Sequence, residues 1–411
     1  MIKNKVDITV FGATGFTGLQ VCQVTDQVAR KLSLKWAMAG RDKEKLQQLR
    51  TQFESLPEIF EADTTDKSSL IKMAEHSKVV LNCVGPFRFH GEQVVDACIQ
   101  GGSDYLDISG EPQFIEMSLL KYNDAAKTQK VRIVHACGFD SVPADFGALL
   151  LRSDAQTSGF PLCHIDSFLQ FDPGSADFRV NYATYVSAIH GLQHWDHLGG
   201  LRRSLRENRW PIAVSRFLKE SKLKKHPFYD SRIKGWATLF MGADASVVMS
   251  TQRTLTANGN TTTFPHYNAY YRFDRVTALM KAIRVAFRFM LLARSKVGRN
   301  LLLKFPEFFS SGFVSKTNPS REQLKTATFK MSMLGVGDNH KNYPRQLEVT
   351  GPDPGYVATP HILVQLAVLL LKNEGLTPRL YGTFTPGALF DPSTARDVLK
   401  ACGIDFRFSD A

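Results

Sequence analysis

The sequence predicts an α/β protein: a Rossmann doubly wound parallel sheet followed by a second α+β domain. Three observations support this fold class. A short apolar strand at the start of the chain runs into a glycine-rich turn and then a helix. Strand-like and helix-like segments alternate from there, which is the order that builds a parallel sheet. With 411 residues the chain is also too long for one average core, so a second unit is expected.

The first strand and the turn after it carry the clearest functional pattern. Val6–Phe11 is rich in β-branched and apolar residues, as buried parallel strands are. The turn before the first helix supplies these expected cofactor contacts: Gly12, Ala13, Thr14, Gly15, Phe16, Thr17 and Gly18. The three glycines would allow a tight bend, close approach of a pyrophosphate, and close helix–strand packing. A turn without a ligand is the alternative, but the flanking strand and helix favour a dinucleotide site.

The end of the second predicted strand, residues 34–39, indicates which nicotinamide cofactor binds. An NAD site usually carries an acid there, whereas this chain has Gly40 and Arg41. An arginine suits the 2′-phosphate, so NADP(H) is favoured over NAD(H), and Arg41 is a predicted contact. Asp42 complicates the assignment, although its side chain can cap a helix starting near Lys43. An ordinary solvated charge is the alternative for Arg41.

The third and fourth predicted strands place further candidates at the same edge of the sheet. The third ends in Asp63, which can meet the adenine edge or cap the helix before Ser68. The fourth covers residues 79–84. Ligands of doubly wound sheets bind beyond the carboxyl ends of the strands. The residues expected to line the cofactor there are Asn82, Gly85 and Pro86.

A loop after the sixth predicted strand, at 131–136, holds a candidate catalytic residue. Residues 138–145 carry two carboxylates, those of Asp140 and Asp145. Hydride transfer needs a group that delivers or accepts a proton. The candidates for this role are Asp140 and, in the fifth predicted strand, Tyr105. An Asx turn at Asp140 and a helix N-cap at Asp145 are the structural alternatives.

Other catalytic patterns are absent from the sequence. None of the eleven tyrosines has a lysine four residues later, which argues against the Tyr-x-x-x-Lys pair of short-chain dehydrogenases. His190, His194 and His197 recur at helical spacing, but no cysteine or paired acid completes a metal site, so no metal is predicted. The six cysteines are scattered and are expected to be reduced thiols.

The chain is basic, with 51 Lys and Arg against 39 Asp and Glu and a formal net charge of +12. Such a surplus can indicate nucleic acid, an anionic membrane surface or an anionic cofactor. No zinc-finger spacing, helix-turn-helix pattern or aromatic-basic RNA motif is present, so nucleic acid is not expected. Neither an uncharged apolar run of ~18 residues nor a signal peptide is recognised, which predicts a location on the cytoplasmic face.

The positive charge concentrates in a basic amphipathic segment, residues 275–310. No acidic residue lies between Asp274 and Glu307. The basic residues of this stretch are Arg275, Lys281, Arg284, Arg288, Arg294, Lys296, Arg299 and Lys304. The opposite helix face is predicted to carry Leu279, Ile283, Phe287, Met290 and Leu291. A basic helix followed by aromatic residues fits a helix lying on a membrane surface. A core-packing helix or a homodimer contact is the alternative.

Motifs along nearly the whole chain resemble one enzyme family. GATGFTG, AGR, LNCVGPF, YLDISGE and HACGFDSVPAD are followed by FMGADASVV, GPDPGYVATP and GTFTPGALF. Together they resemble the saccharopine dehydrogenase-like oxidoreductases, including animal members and bacterial trans-acting enoyl reductases that act on polyketide intermediates. The resemblance implies a Rossmann domain at 1–150, an α+β substrate or dimerisation domain at 151–355, and a C-terminal return at 356–411 that packs on the first domain.

Two functions follow as hypotheses. The first is an NADP(H)-dependent reductase of an enoyl or carbonyl group in a lipidic or polyketide-like substrate, working at a membrane or lipid-droplet surface. The second is a non-catalytic, nucleotide-bound scaffold on that surface. The resemblance does not imply saccharopine as the substrate. Family members tend to have Gly-Thr-Trp where this chain has Ala183-Thr184-Tyr185, a position expected near the substrate. Substrate shape is therefore expected to differ.

Overall fold

A computed structural model describes residues 5–174, 180–193, 197–208, 212, 214–215, 222–259, 263–315, 319–337, 345–376 and 380–410. The chain divides into two compact units. The first unit comprises Met1–Phe146 and Gly355–Gly403, and the second comprises Gly147–Pro354 and Ile404–Ala411.

The strands, in chain order, are β1 (Val6–Phe11), β2 (Trp36–Gly40), β3 (Glu58–Glu61), β4 (Ser77–Asn82), β5 (Asp104–Asp107), β6 (Arg132–Val134), β7 (Leu162–Asp172), β8 (Val180–Asn181), β9 (Phe228–Asp230), β10 (Gly235–Leu239), β11 (His266–Phe273), β12 (Val314–Ser315), β13 (Thr328–Gly337), β14 (Arg345–Pro352), β15 (Gly382–Phe384) and β16 (Asp405–Asp410). The helices are α1 (Phe16–Leu32), α2 (Lys43–Arg50), α3 (Lys67–Glu75), α4 (Phe87–Gly101), α5 (Pro112–Gln129), α6 (Val142–Thr157), α7 (Tyr182–Gln193), α8 (His197–Glu207), α9 (Asp244–Ala257), α10 (Val276–Ala293), α11 (Lys296–Lys304), α12 (Pro306–Phe309), α13 (Arg321–Thr326), α14 (Thr359–Lys372), α15 (Pro386–Leu389) and α16 (Pro392–Ala401).

The first unit is built on a seven-stranded sheet in the order β15-β6-β5-β4-β1-β2-β3. Every pairing in this sheet is parallel. The order 3-2-1-4-5-6 is that of a Rossmann fold, and β15 extends it from the C-terminal part of the chain. The predicted fold class is therefore confirmed. Strand order reverses between β1 and β4, and ligands of such sheets bind beyond the carboxyl ends of the strands at that point.

Helix α14 continues a π-helical turn at Pro354–Ala358. Together they form the one helix in the described ranges that is long and apolar enough to cross a membrane, by length and composition. The core helix of a soluble protein passes the same test, and 61% of an 18-residue window of this helix is buried. Within the first unit α14 packs against α1, which accounts for its apolar composition.

The second unit contains a mixed sheet in the order β16-β14-β13-β7-β11-β10-β9. Only β7 and β11 pair in parallel among these strands; the other pairings are antiparallel. The expectation that 356–411 packs as a whole on the first domain is wrong for its last strand, because β16 pairs with β14 in the second sheet. Half-buried Phe406 and Phe408 alternate there with exposed neighbours, as a strand on a half-covered sheet requires.

Helices α7, α10, α11 and α12 form a helical layer within the second unit. Their shared core contains Tyr185, Ile189, Ala293, Leu302 and Val314. Tyr185 is buried, and its hydroxyl donates to the Leu302 carbonyl oxygen at 3.1 Å. Tyr185 therefore has a packing role, and its proximity to the substrate stays a prediction.

Candidate functional site

The glycine-rich turn joins β1 to α1 at the carboxyl edge of the first sheet. Gly12 has φ +88°, a left-handed conformation that suits glycine. A Cβ atom on Gly12 would lie 2.8 Å from Cγ2 of Val84 in the loop after β4. A Cβ atom on Gly18 would lie 2.0 Å from the Gly12 carbonyl oxygen. The turn is thus packed too tightly against α1 and the β4 loop for side chains at these two positions.

The N-terminus of α1 is open to an anion. Gly15 precedes the helix in an extended conformation, and no side chain caps the helix. Thr14 and Gly15 are exposed, Phe16 and Thr17 are half-buried, and Ala13 is buried. The first N–H groups of a helix lack intrahelical acceptors and lie at its positive end. This arrangement fits the pyrophosphate of NADP(H), which the residues Gly12 to Gly18 would hold.

Arg41 is exposed directly after β2, where a 2′-phosphate is expected. The neighbouring carboxylate does not compete for this position, because Oδ1 of Asp42 accepts a hydrogen bond from the Lys45 backbone N–H at 3.0 Å. Asp42 is the N-cap of α2, and the Lys45 bond lowers the pKa of its carboxyl group. This capping role is the one that the sequence predicted as an explanation for Asp42.

Asp63 follows β3 and is half-buried. Its Oδ1 accepts hydrogen bonds from the backbone N–H and the hydroxyl of Thr65, both at 2.8 Å. The Thr65 backbone bond is the main cause of a lowered pKa, to which the charge of Arg41 adds. Asp66, not Asp63, caps α3 through the Ser68 backbone N–H. The capping alternative for Asp63 is therefore wrong, whereas an adenine contact stays a prediction.

Asn82 and Tyr105 belong to a buried hydrogen-bond network. Nδ2 of Asn82 donates to the Tyr105 hydroxyl at 3.0 Å, and that hydroxyl donates to Oδ2 of Asp107 at 2.9 Å. The His135 Nδ1 lies 2.6 Å from the same carboxylate oxygen, and the His135 Nε2 lies 2.7 Å from Ser118 Oγ. All five side chains are 0% exposed. Burial, followed by the charge of Asp107, raises the pKa of Tyr105 well above its usual value.

The assignment of Tyr105 as a proton donor is corrected by this network. Its hydroxyl is inaccessible and already engaged with two partners, so it cannot reach a substrate. Asn82 is also buried, but its Oδ1 accepts the Val84 N–H at 2.9 Å. It therefore shapes the loop that continues through Gly85 and Pro86, whose connecting peptide is cis. Gly85 is exposed and Pro86 half-buried, and both stay predicted cofactor contacts.

Asp107 connects the network to the loop after β6. Its Oδ1 accepts the backbone N–H of Ser109 at 3.0 Å and that of Ala136 at 2.9 Å. Its carbonyl oxygen accepts the Cys137 N–H at 2.7 Å. Ala136 has φ +60°, which is uncommon for a residue with a side chain. The Asp107 carboxylate thus holds the bend that leads from β6 towards Asp140.

Asp140 is exposed, and its carboxylate lies against the loop after β5. A Cβ atom on Gly110 would come within 2.6 Å of Oδ2 of Asp140. Among the described residues the carboxylate accepts no hydrogen bond, so the Asx-turn alternative has no support. The surrounding protein desolvates the carboxylate and raises its pKa. Asp140 is therefore an accessible carboxyl group whose pKa lies above the usual value for aspartate.

The second carboxylate of this loop has a structural role. Asp145 is buried, and its Oδ2 accepts the Gly387 N–H at 2.7 Å. Helix α6 already begins at Val142, so Asp145 lies in its first turn and is not the predicted N-cap. Its carboxylate fixes α15, the short helix after β15, within the first unit.

In the part of the chain that the structure describes, no group of three or more His, Cys, Asp or Glu side chains is placed to hold a metal ion. His190 lies in α7, while His194 and the side chain of His197 fall outside the described residues. The six cysteines, all within the described ranges, form no disulfide.

Comparison with known proteins identifies relatives of the whole chain. Residues 8–134 match the family model of the saccharopine dehydrogenase NADP binding domain. The human saccharopine dehydrogenase-like oxidoreductase is 37% identical over 434 residues, covering 97% of this chain and 96% of that protein. A lipid droplet localized protein of Caenorhabditis elegans is 30% identical over 98% of each chain.

A putative trans-acting enoyl reductase of Mycobacterium tuberculosis is 37% identical over 162 residues, which is 38% of each chain. Among solved structures, the apo saccharopine dehydrogenase (L-Glu forming) of Saccharomyces cerevisiae superposes with a TM-score of 0.58 at 12% identity. That match covers 99% of this chain and 100% of the yeast chain, and it shows a shared fold.

Proposed function

The chain belongs to the family of saccharopine dehydrogenase-like oxidoreductases and binds NADP(H), and from that premise we propose which reaction it performs and where. The proposed reaction is the reduction of an enoyl or carbonyl group in a lipidic or polyketide-like substrate. The proposed location is a membrane or lipid-droplet surface. The accessible Asp140 carboxyl group, with its raised pKa, carries the catalytic part of this proposal.

The reduction adds one hydride and one proton across a C=C or C=O bond. NADPH, when bound, supplies the hydride. Asp140 donates the proton, because desolvation keeps a larger fraction of its carboxyl group protonated near neutral pH than an ordinary aspartate has. The saturated product or alcohol leaves an ionised Asp140. Since the side chain is exposed, it recovers a proton from solvent before the next turnover.

The exposed surface of α10 to α12 supports a lipid-facing location. Exposed apolar side chains on and beside these helices are Val276, Met280, Ile283, Phe287, Met290, Leu291, Val297, Leu301, Phe305, Phe308 and Phe313. We call this set the apolar ridge. On α10 its members recur every three or four residues, which places them on one stripe. Phe287 is 62% and Phe308 74% exposed.

Helix α10 has three faces where the sequence predicted two. Leu279 and Ala293 face the core, the apolar ridge is exposed, and Lys281, Arg284 and Arg288 form a basic stripe beside the ridge. Leu279 was predicted to lie on the same face as Ile283 and Phe287, but it is buried in the core instead. Exposed aromatic residues bordered by cations suit an interface of acyl chains and anionic headgroups. The nematode relative's description as lipid droplet localized supports the same location.

Turnover of NADPH with a panel of enoyl and carbonyl lipids tests the catalytic proposal. We expect Asp140→Asn to lower kcat about 100-fold, in the range of general acid catalysis. Asp124→Asn, an exposed carboxylate on α5, is the matched control and should keep wild-type activity. Tight NADPH binding without turnover on any substrate would favour the scaffold function instead. Full activity of Asp140→Asn would exclude Asp140 as the donor.

Flotation with vesicles containing anionic phospholipid tests the location. We expect the double variant Phe287→Ser/Phe308→Ser to reduce strongly the fraction of protein bound to vesicles. In the double variant Arg284→Glu/Arg288→Glu, we expect the binding that persists not to depend on the content of anionic lipid. Phe160→Ser is the control, since Phe160 is 61% exposed outside the ridge. Unchanged flotation of both double variants would refute a lipid-facing ridge.

A further inference from the structure

One turn of chain contacts both α1, whose N-terminus is the predicted pyrophosphate site and which we call the phosphate-binding helix, and the loop that carries Asp140. It consists of the π-helical turn Pro354–Ala358 and the first residue of α14, Thr359, all within the motif GPDPGYVATP. The proposed function gives this motif no role. Turns of π-helix are rare and frequently mark functional sites.

The contact with the phosphate-binding helix runs through two aromatic rings. The centroid of the Tyr356 ring lies 4.8 Å from that of Phe16, and the rings meet edge to face at 67°. Phe16 is the first residue of α1 and directly follows the exposed Gly15. Tyr356 is buried. The turn is therefore anchored at the residue whose backbone lies at the predicted pyrophosphate site.

The contact with the Asp140 loop is a hydrogen bond. Oγ1 of Thr359 accepts the backbone N–H of Phe139 at 2.9 Å. The preceding residue fits tightly, since a Cβ atom on Gly138 would lie 3.0 Å from Cγ2 and 3.2 Å from Oγ1 of Thr359. Thr359 is buried. Its hydroxyl thus fixes the Gly138–Phe139 peptide group, one residue before Asp140.

We propose that Thr359 is a positioning residue that holds Asp140 at a fixed place relative to the bound nicotinamide. The inference rests on the proposed role of Asp140. The same turn contacts α1 through Phe16 and the Asp140 loop through Phe139. It therefore fixes the position of Asp140 relative to α1, and so relative to a cofactor held at the N-terminus of α1. Without the Thr359 hydroxyl, this hydrogen bond to the Phe139 N–H is lost and the loop gains freedom.

This placement has a consequence for cofactor binding that does not depend on turnover. The oxidised nicotinamide ring is positively charged, so an ionised Asp140 held nearby favours NADP⁺ over NADPH. As the pH rises and Asp140 loses its proton, the affinity for NADP⁺ should increase relative to that for NADPH. Gly110, which faces the Asp140 carboxylate from the loop after β5, carries no charge.

The test measures dissociation constants of NADP⁺ and NADPH for the full chain from about pH 5 to pH 9. In the wild type we expect the affinity for NADPH relative to that for NADP⁺, taken from the ratio of the two dissociation constants, to fall about fivefold with rising pH. A change of about fivefold corresponds to one screened charge interaction. Asp140→Asn should abolish the change. Thr359→Val, which keeps the shape and removes the hydroxyl, should reduce it to less than twofold, and Thr359→Ser should restore it.

Thr25→Val is the matched control, because Thr25 is also buried and its hydroxyl also makes one bond to a backbone group, the Val21 carbonyl oxygen. It should show the full fivefold change. A full change in Thr359→Val would overturn the inference while leaving the role of Asp140 intact. A full change in Asp140→Asn would instead refute the role of Asp140 itself.

Hydrogen exchange on the wild type gives a second reading that needs no variant. The Phe139 amide should be protected, and protection should increase when NADPH binds. Rapid exchange of this amide in the presence of NADPH would overturn the positioning role even if Thr359→Val did not fold.

Discussion

The Gly12 carbonyl oxygen occupies the position that a side chain on Gly18 would need, since a Cβ atom there would lie only 2.0 Å away. The Gly12 oxygen is a backbone atom, and the position of a Cβ atom on residue 18 is set by the backbone. No rotamer change can therefore relieve the contact. An added methyl group must displace α1 from β1 or open the turn. Either movement disturbs the N–H groups that receive the pyrophosphate.

Gly18→Ala is therefore expected to lower NADPH affinity at least 100-fold and to reduce the melting temperature. Fluorescence titration and thermal unfolding measure the two effects. Gly199→Ala is the control, because Gly199 is a helical glycine in α8 with open space around its Cα. There an alanine should leave NADPH binding unchanged and stabilise the helix by about 0.5–1 kcal/mol. Wild-type binding by Gly18→Ala would show that the turn does not receive the cofactor.

Arg41 should determine the preference for NADP(H). The guanidinium group is exposed after β2, and Asp42 is engaged in capping α2. Loss of one charge-assisted contact to a 2′-phosphate is worth about 1.5–3 kcal/mol, so Arg41→Ala should weaken NADPH binding about 10- to 100-fold. NADH, which lacks that phosphate, should bind as before.

Arg50→Ala supplies the comparison, since Arg50 is an exposed arginine in the last turn of α2, the helix that follows Arg41. It should leave both affinities unchanged. An equal loss for NADPH and NADH in Arg41→Ala would assign the arginine a role outside phosphate recognition.

Tyr105 should contribute to stability and not to proton transfer. Tyr105→Phe leaves the buried Asn82 amide without its acceptor and Asp107 with one hydrogen bond fewer. We expect a loss of about 1–3 kcal/mol in the free energy of unfolding, with NADPH affinity unchanged within about twofold. In Tyr122→Phe, whose lost bond joins the hydroxyl to Glu92 at a less buried place, the loss should be smaller. A 100-fold fall in turnover with little loss of stability would restore Tyr105 as a donor.

The comparison of Tyr105 with the glycine turn shows what the sequence can predict. The turn is local, so one strand, three glycines and one helix are sufficient, and Val6–Phe11 forms β1 as predicted. The environment of Tyr105 depends on Asp107 and His135, which meet only because β5 pairs with β6. That adjacency follows from the order of the whole sheet, and β15 completes it from a distant part of the chain.

The same limit applies to α10 and Thr359. Helical spacing predicts the basic stripe, but which apolar residues face the core depends on α7 and α11 packing from other parts of the chain. Thr359 contacts Phe139 across 220 positions of sequence. Nothing near Thr359 in the sequence identifies that partner, although the motif GPDPGYVATP marks the segment.

Stability at low pH should depend on the capping aspartates of the first unit. Backbone and hydroxyl donors lower the pKa of Asp42, chiefly through the Lys45 N–H, and of Asp66, chiefly through the Ser68 hydroxyl. Each carboxyl group is therefore more acidic in the folded chain than in the unfolded chain, where aspartate titrates near pH ~3.9. Their stabilisation is present above that pH and is lost as the pH falls through the lower folded values.

Replacing both residues with serine tests this sign, because serine caps helices about as well and does not titrate. Between about pH 6 and pH 3 the double variant should lose less stability than the wild type, as measured by urea unfolding of the full chain. The double alanine variant, which removes the caps at every pH, should be destabilised already at pH 6 and should share the shallower acid slope. An acid slope as steep as that of the wild type in the serine variant would show that other carboxylates control acid unfolding.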